Sequence, residues 1–320
     1  MITKFMLAAL LGLAPVVALA QAAAYPSKPI RIMVPFNAGS GADTSSRFYG
    51  DLLARLFGQP VVVENRPGGS GILAVQAVKT APADGHTILM ATNSPMTVNV
   101  VVMKNLPYDP IKDFRPVIGV SKAPVAFIVR ADSPFRTIRE MVEATKKSGV
   151  PLAVGNYSAG YELIGAWLGT VTGLAITPIP YKGGALMMTD IIGGQVVTGA
   201  IDFAGAAPLI KEKRLRALAI TSDQRDPAFP DVPTMKESGF ADFETYVWAS
   251  FFVRAETPDE VTAKLYEGFR KVMVSPEARA YQAGQPAMVM NIGPQELRAF
   301  VIAELERFKR VAQAAGIEPR

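Results

Sequence analysis

The sequence predicts an α/β fold of two lobes, each a mixed or parallel sheet flanked by helices, with a cleft between them. Three observations carry this. Buried-strand patterns alternate with amphipathic helix patterns along most of the chain. The alternation comes in two series followed by a helical tail. Strand patterns at residues 120–129 and 245–253 fall where the chain would cross between the series. Composition agrees: of 320 residues, 49% are apolar and 19% charged, enough for a packed core and unlike a disordered chain.

The elements follow in order. Residues 29–34 read as a buried strand, and a Gly-rich turn follows. Phe48, Leu52, Leu53 and Leu56 then recur at helical spacing, with Asp43 or Thr44 as N-cap and Gly58 as the stop. Residues 61–63 are a second strand. The turn from Asn65 to Gly71 enters a helix carrying Ile72, Val75 and Val78, and residues 87–91 are a third strand. In the second series, residues 125–129 and 152–155 are strands. Thr137 and Glu140 make a capping box between them. A helix carrying Ile164, Trp167, Leu168 and Val171 comes next. Strands at 176–179, 196–201 and 215–220 and a short helix through 187–192 complete the series. Residues 226–233 hold three prolines and break all periodicity. Thr257-Pro258-Asp259-Glu260 and Ser275-Pro276 start helices, with Thr257 as the expected cap of the first. Leu297, Phe300, Val301, Leu305, Phe308, Val311 and Ala312 mark a last long amphipathic helix. Trp167 reads as core, and Trp248 as core or cleft wall.

At the N-terminus, Lys4 precedes an apolar run over residues 5–20. The run is shorter than the roughly 20 residues that span a bilayer. It closes on Ala18-Leu19-Ala20, the small-x-small pattern of a cleavage site, and Ala22-Ala23-Ala24 offers a second. Residues 1–24 are therefore expected to be a signal peptide, cut between Ala20 and Tyr25, with the mature chain outside the cytoplasm. An uncleaved anchor is the alternative; the short run and its Gly12 and Pro15 weigh against it.

Composition excludes much chemistry. With no cysteine there are no disulfides, thiolate metal sites or lipid-anchored N-terminal cysteine. A single histidine, His86, excludes a His-rich zinc site, and no G-x-S-x-G elbow exists to partner it as a hydrolase. The net charge of +5 comes from scattered residues, so no basic run tracks nucleic acid. No G-x-x-x-x-G-K-[ST] loop is present.

Three segments point to ligand chemistry. Gly39-Ser40-Gly41-Ala42-Asp43-Thr44 joins a strand to a helix, where open α/β sheets bind ligands. A helix N-terminus presents unpaired N–H groups and partial positive charge, and glycines let the backbone approach an anion. A small-anion site and a plain turn both fit. A dinucleotide fingerprint fits poorly, since Thr44 stands where Gly is required. Asn156-Tyr157-Ser158-Ala159-Gly160-Tyr161 is a second such junction. It presents the Ser158 hydroxyl and the N–H groups of Ala159, Gly160 and Tyr161, or else Ser158 is only a cap. Asp202 ends a strand pattern, as a ligand contact or as the cap of a next short helix.

Several segments in order resemble one family. They include Val34-Pro35-Phe36, Glu64-Asn65-Arg66-Pro67-Gly68-Gly69-Ser70-Gly71, Pro82-Ala83-Asp84-Gly85-His86-Thr87 and Leu106-Pro107-Tyr108-Asp109-Pro110. Ile179-Pro180-Tyr181-Lys182-Gly183-Gly184, Gly193-Gly194-Gln195-Val196 and Pro230-Asp231-Val232-Pro233-Thr234 continue the set. Together they resemble the Bug (TctC-like) substrate-binding proteins of tripartite tricarboxylate transporters, over nearly the whole mature chain. The resemblance implies a type II-like periplasmic binding protein that closes on a small organic carboxylate and delivers it to a two-subunit membrane permease. It implies no enzyme activity, cofactor or metal. Lobe one would be residues 25–122 plus 250–320, and lobe two 123–249. The ligand contacts it implies are Phe36, Ala38, Gly39, Ser40, Gly41, Ala42 and Asp43, with Asn93 and Ser94 in another loop. In lobe two they are Ser158, Ala159, Gly160 and Tyr161, with Asp202 at the distal end. Glu162 departs from the common family pattern and adds negative charge near the clasp. Di- and tricarboxylates, acidic amino acids and aromatic acids stay open as ligands, and a monomer is expected. The rival roles are a sensing module for a two-component kinase and a secreted hydrolase using His86.

Overall fold

The computed structural model describes residues 25–319, so the expected signal peptide, residues 1–24, lies outside the described residues. The first sheet is built from β1 (Ile30–Val34), β2 (Val61–Asn65), β3 (Thr87–Thr92) and β4 (Phe114–Arg130), with β9 (Tyr246–Arg254) and β10 (Met288–Ile292) from late in the chain. The second contains β5 (Leu152–Asn156), β6 (Ile176–Pro180), β7 (Thr198–Asp202) and β8 (Leu215–Ile220), which join the far half of β4. The strand order along the continuous path is β2-β1-β3-β9-β4-β7-β5-β6, and both β10 and β8 pair with β4. Strands β2, β1 and β3 are parallel, as are β6, β5 and β7. Strand β9 runs antiparallel between β3 and β4.

The connection between halves is one long strand. Residues 114–124 of β4 pair with β9, from Phe114 opposite Arg254 to Pro124 opposite Tyr246. Residues 125–128 then pair with β7. The sequence expectation of a crossing strand over 120–129 was too short, since β4 already begins at Phe114. Pro116 lacks an N–H and argues against a central strand. The structure absorbs it by shifting the β4–β9 register between Pro116 and Ile118.

Helices α1 (Gly41–Phe57), α2 (Ile72–Lys79) and α3 (Asn99–Val102) belong to the first half. Helices α4 (Ile138–Ser148), α5 (Ala159–Thr172), α6 (Gly184–Ile192) and α7 (Phe203–Lys211) belong to the second. Then α8 (Asp259–Met273), α9 (Pro276–Ala283) and α10 (Pro294–Ala314) return to the first. Neighbouring strand residues face opposite sides, so each sheet has two cores. Ile30, Ile32, Ile88 and Met90 meet Leu53, Leu265 and Phe269 on one face; Met33, Leu89 and Ala91 meet Val75, Val78, Leu297 and Val301 on the other. In the second sheet Val125, Phe127 and Val129 pack with α4 and α5, and Ala126 and Ile128 with α6 and α7. A fifth cluster joins the halves: Phe308, Val311 and Ala312 of α10 lie against Val98 and against Ala159 and Leu163 of α5. Trp167 is half-buried at the edge of the α5 core, its ring stacked 4.3 Å from that of Phe243.

Two expectations about helix ends need correction, and one turn went unread. The N-cap of α1 is Ser40, whose Oγ accepts the N–H of Asp43 at 3.2 Å; Asp43 and Thr44 lie inside the helix. Helix α8 starts at Asp259 with Pro258 in the cap position. Thr257 is drawn into a turn on Arg254, and its hydroxyl has no partner among the described residues. A wide π turn at Ser94–Val98, running into α3, was not expected from the pattern. The caps of Thr137 and Ser275 are present as expected, but the box at Thr137 is half formed, since Glu140 Oε2 accepts the N–H of Arg136 rather than that of Thr137.

Candidate functional site

The loop after β1 is held by the side chains that follow it. Gly39 adopts φ +83°, a left-handed conformation that glycine takes without steric cost. Asp43 turns back under the loop. Its Oδ2 accepts the N–H of Gly39 at 2.9 Å, its Oδ1 accepts Nδ2 of Asn65 at 2.9 Å, and Arg47 lies 2.9 Å away. Burial alone would raise the Asp43 pKa, but Arg47, the Gly39 N–H and Asn65 outweigh it and hold the pKa below its usual value. Although only 3% exposed, the carboxylate sits just beneath the surface, against a half-exposed arginine. The result is a rigid entry to α1, whose first N–H groups, on Gly41 and Ala42, have no intrahelical acceptor.

The opposite junction, β5 to α5, is engaged across the gap. Ser158 occupies the N-cap position yet makes no capping bond of its own. The Ala159 N–H donates to Ser70 Oγ at 3.1 Å, and the Gly160 N–H to Ser94 Oγ at 3.1 Å. Ser94 Oγ in turn donates to Ser158 Oγ at 3.0 Å. Two N–H groups expected to face a ligand are thus capped by serines of the first half. Asn37 Nδ2 donates to the Lys182 carbonyl at 2.7 Å, and Phe36 packs edge-on against Tyr157. The approach is close: a Cβ on Gly160 would fall 2.8 Å from Ser94 Oγ and 3.1 Å from Asn93 Nδ2.

Asp202 is the cap of the next short helix, one of its two sequence readings. Its Oδ1 accepts the Gly205 N–H at 2.7 Å and caps α7. Its Oδ2 accepts the hydroxyl of Tyr157 at 2.8 Å, with that of Tyr161 at 3.5 Å. Burial first, and then the Asp202 charge, push both phenol pKa values well above their usual value, so the phenols remain donors. Oδ1 also lies 3.7 Å from where a Cβ on Gly41 would stand, so the carboxylate faces the start of α1.

Between these walls is a cavity of about 300 Å³. Phe36, Gly39, Ser40, Gly41, Ala42, Asn93, Ser94, Ser158, Tyr161 and Asp202 line it. Ala38, Asp43, Ala159 and Gly160 do not. Ala38 is exposed, Asp43 points inward, and Ala159 and Gly160 are turned to the serines. Thr92 Oγ1 and Asn93 Nδ2 are buried in the wall without a partner among the described residues. Trp248 is both core and wall: 2% exposed, it packs on Phe300 and borders the cavity. The sequence reading missed Thr92, Ser121, Tyr281, Gln282 and Gln285, which also line the cavity; Tyr281 stacks on Phe48 of α1, and the Gln282 amide donates to the Tyr49 hydroxyl at 3.0 Å. Tyr281, Gln282 and Gln285 follow Ser275-Pro276, a helix start that was legible, but nothing local aims that helix at the cleft. His86 precedes β3, at the opposite end of that strand from Asn93. Its Nε2 accepts the Ser27 N–H at 3.2 Å and its ring packs on Tyr25, a structural role. No cluster of metal-ligating residues occurs among the described residues.

Residues 46–317 match the family described as the tripartite tricarboxylate transporter family receptor. The chain belongs to this receptor family. A UPF0065 protein of Bordetella bronchiseptica is 35% identical over 98% of this receptor chain and 95% of its own. Among solved structures, R. palustris Rpa4515 with adipate has a TM-score of 0.89 at 30% identity, covering 92% of this chain and 100% of that one. The periplasmic binding protein BugD has a TM-score of 0.87 at 30% identity, covering 92% and 100%. The fold is that of a two-lobed periplasmic binding protein, and the family consists of solute receptors rather than enzymes.

Proposed function

We propose that residues 25–320 form an extracytoplasmic receptor that captures a small organic carboxylate in the interlobe cleft and hands it to a two-subunit membrane permease. The observation that carries this is the start of α1. Gly41 and Ala42, whose N–H groups have no intrahelical acceptor, and Asn93, whose buried amide nitrogen has no partner among the described residues, border one cavity between the halves. Such donors favour a carboxylate, each charge-assisted bond contributing about 1.5–3 kcal/mol. The R. palustris relative solved with adipate supports the ligand class. In this reading residues 1–24 direct export and are cut between Ala20 and Tyr25. Lobe one is 25–122 plus 250–320, lobe two is 123–249, and β4 and β9 bend as the lobes close. A ligand touching both lobes favours the closed state through the contacts it makes only there.

The test is a thermal-shift screen of the mature chain, unfolded and refolded to strip carried-over ligand, against small acids, with calorimetry on each hit. A ligand at about 100 times its Kd adds about 2.7 kcal/mol, several degrees for a chain of this size. No hit across a broad acid panel overturns the carboxylate reading. Failure to co-purify with a permease from the membrane overturns the delivery role.

A further inference from the structure

We infer that Ser70 is a positioning residue for capture: its hydroxyl, carried across the gap on a left-handed turn, docks helix α5 of the second half onto the first. The inference rests on the reading of a cleft that closes on its ligand, and adds a residue that holds it shut. Residues 68–71 all have positive φ, at +130°, +54°, +52° and +96°. Three are glycines; Ser70 is the one with a side chain, and an L side chain is disfavoured there. Glycine would serve the turn better. What serine adds is one hydrogen bond, from the Ala159 N–H to its Oγ at 3.1 Å.

The hydroxyl is held from behind. The Ser70 carbonyl accepts Asn99 Nδ2 at 3.1 Å, the same nitrogen donates to the Tyr108 hydroxyl at 3.2 Å, and that hydroxyl donates to the Pro95 carbonyl at 2.6 Å. Asn99 is fully buried and Tyr108 nearly so. The turn is thereby fixed to the segment that carries Ser94, and the two serines meet two consecutive N–H groups of α5. The cap position of α5 offers no replacement in this arrangement, since Ser158 makes no capping bond. Ser70 does not border the cavity, but Ser158 and Tyr161, on either side of Ala159, do. Docking Ala159 therefore sets the position of two wall residues, and Ser70 acts on the ligand through them.

The experiment compares the mature, ligand-stripped protein with Ser70→Gly, Ala159→Pro and the double variant. Glycine keeps the turn and removes the hydroxyl. Proline removes the N–H at the first helical position, where it is tolerated, and the extended backbone of Ser158, at φ −162° and ψ 163°, suits a residue before proline. NMR reads the protection of the Gly160 amide against hydrogen exchange, calorimetry the affinity for adipate, and a melting curve the fold. Ser70→Gly is expected to lower both protection and affinity about fivefold, as for the loss of one neutral hydrogen bond, with Tm changed by no more than a few degrees. Ala159→Pro is expected to lower protection at least as much on its own and to add little to Ser70→Gly, because the two changes break one contact. Wild-type protection in Ser70→Gly, or losses that multiply in the double variant, overturns the inference. A loss matched by a larger fall in Tm assigns Ser70 to the stability of its own turn and overturns it too. Adipate failing to bind the wild type counts against the carboxylate reading alone; the protection of Gly160 still decides this inference.

Discussion

Replacing Gly160 by alanine is expected to part the two lobes while leaving each intact. The new Cβ would stand 2.8 Å from Ser94 Oγ and 3.1 Å from Asn93 Nδ2. Neither neighbour yields easily, since both are buried and Ser94 is held by Ser158 and by the Gly160 N–H itself. Relief requires α5 to withdraw. That breaks the Gly160–Ser94 bond and, one residue earlier, the Ala159–Ser70 bond. At about 1 kcal/mol each, the closed arrangement loses about 2 kcal/mol. Affinity for any acid found in the screen should fall about 30-fold, at about 1.4 kcal/mol per tenfold. The fold should not suffer, because alanine is the better helix former by up to about 1 kcal/mol. Calorimetry reads the affinity, small-angle scattering the ligand-induced compaction, and a melting curve the fold. Adding Ser94→Ala removes the crowding oxygen and should restore part of the lost affinity. Wild-type affinity and compaction in Gly160→Ala would refute the view that this contact governs closure.

Three further outcomes follow from the same geometry. Gly41→Val points a branched side chain at Asp202 and fills the anion end of the cavity; binding should be lost with the melting temperature changed by only a few degrees, and retained affinity would remove α1 from the site. Asp43→Asn should cost about 1–2 kcal/mol at neutral pH. Because the folded pKa of Asp43 lies below its unfolded value near 3.9, that stabilisation is present above about pH 4 and vanishes as pH falls through the folded pKa. Melting curves of the two proteins should therefore converge in acid, and a gap unchanged from about pH 7 to about pH 3 would contradict the assignment. Of the two tryptophans, only Trp248 borders the cavity. A fluorescence change on binding should persist in Trp167→Phe and disappear in Trp248→Phe.

Much of the fold was legible because it is written locally. Strand and helix periods, Gly58 as a left-handed helix stop and the caps at Thr137 and Ser275 are properties of short windows. The loop after β1 was legible as a candidate anion site for the same reason. Its detail was less so: Ser40 and Asp43 form a capping pair, which turns Asp43 away from the cleft and was there to be read from their spacing. The π turn at Ser94–Val98 has no signature, since it mixes Pro95, Thr97 and apolar residues in a fully buried segment. Strand β10 is short and mostly exposed, so no alternation marks it. The serine contacts at Ser70 and Ser94 join residues far apart in sequence, and no window contains both partners.

The late return of the chain to its first sheet has a kinetic meaning. Strand β3 finds its antiparallel neighbour only in β9, and α10 clamps both halves from near the chain's end. An emerging polypeptide therefore cannot finish its first lobe until nearly all of it has been made. Such distant pairings form slowly, because the entropy of closing a long loop comes before any reward. In the export reading proposed above, that delay keeps the nascent chain pliable on the inside and defers the cooperative step to the compartment where its ligand waits.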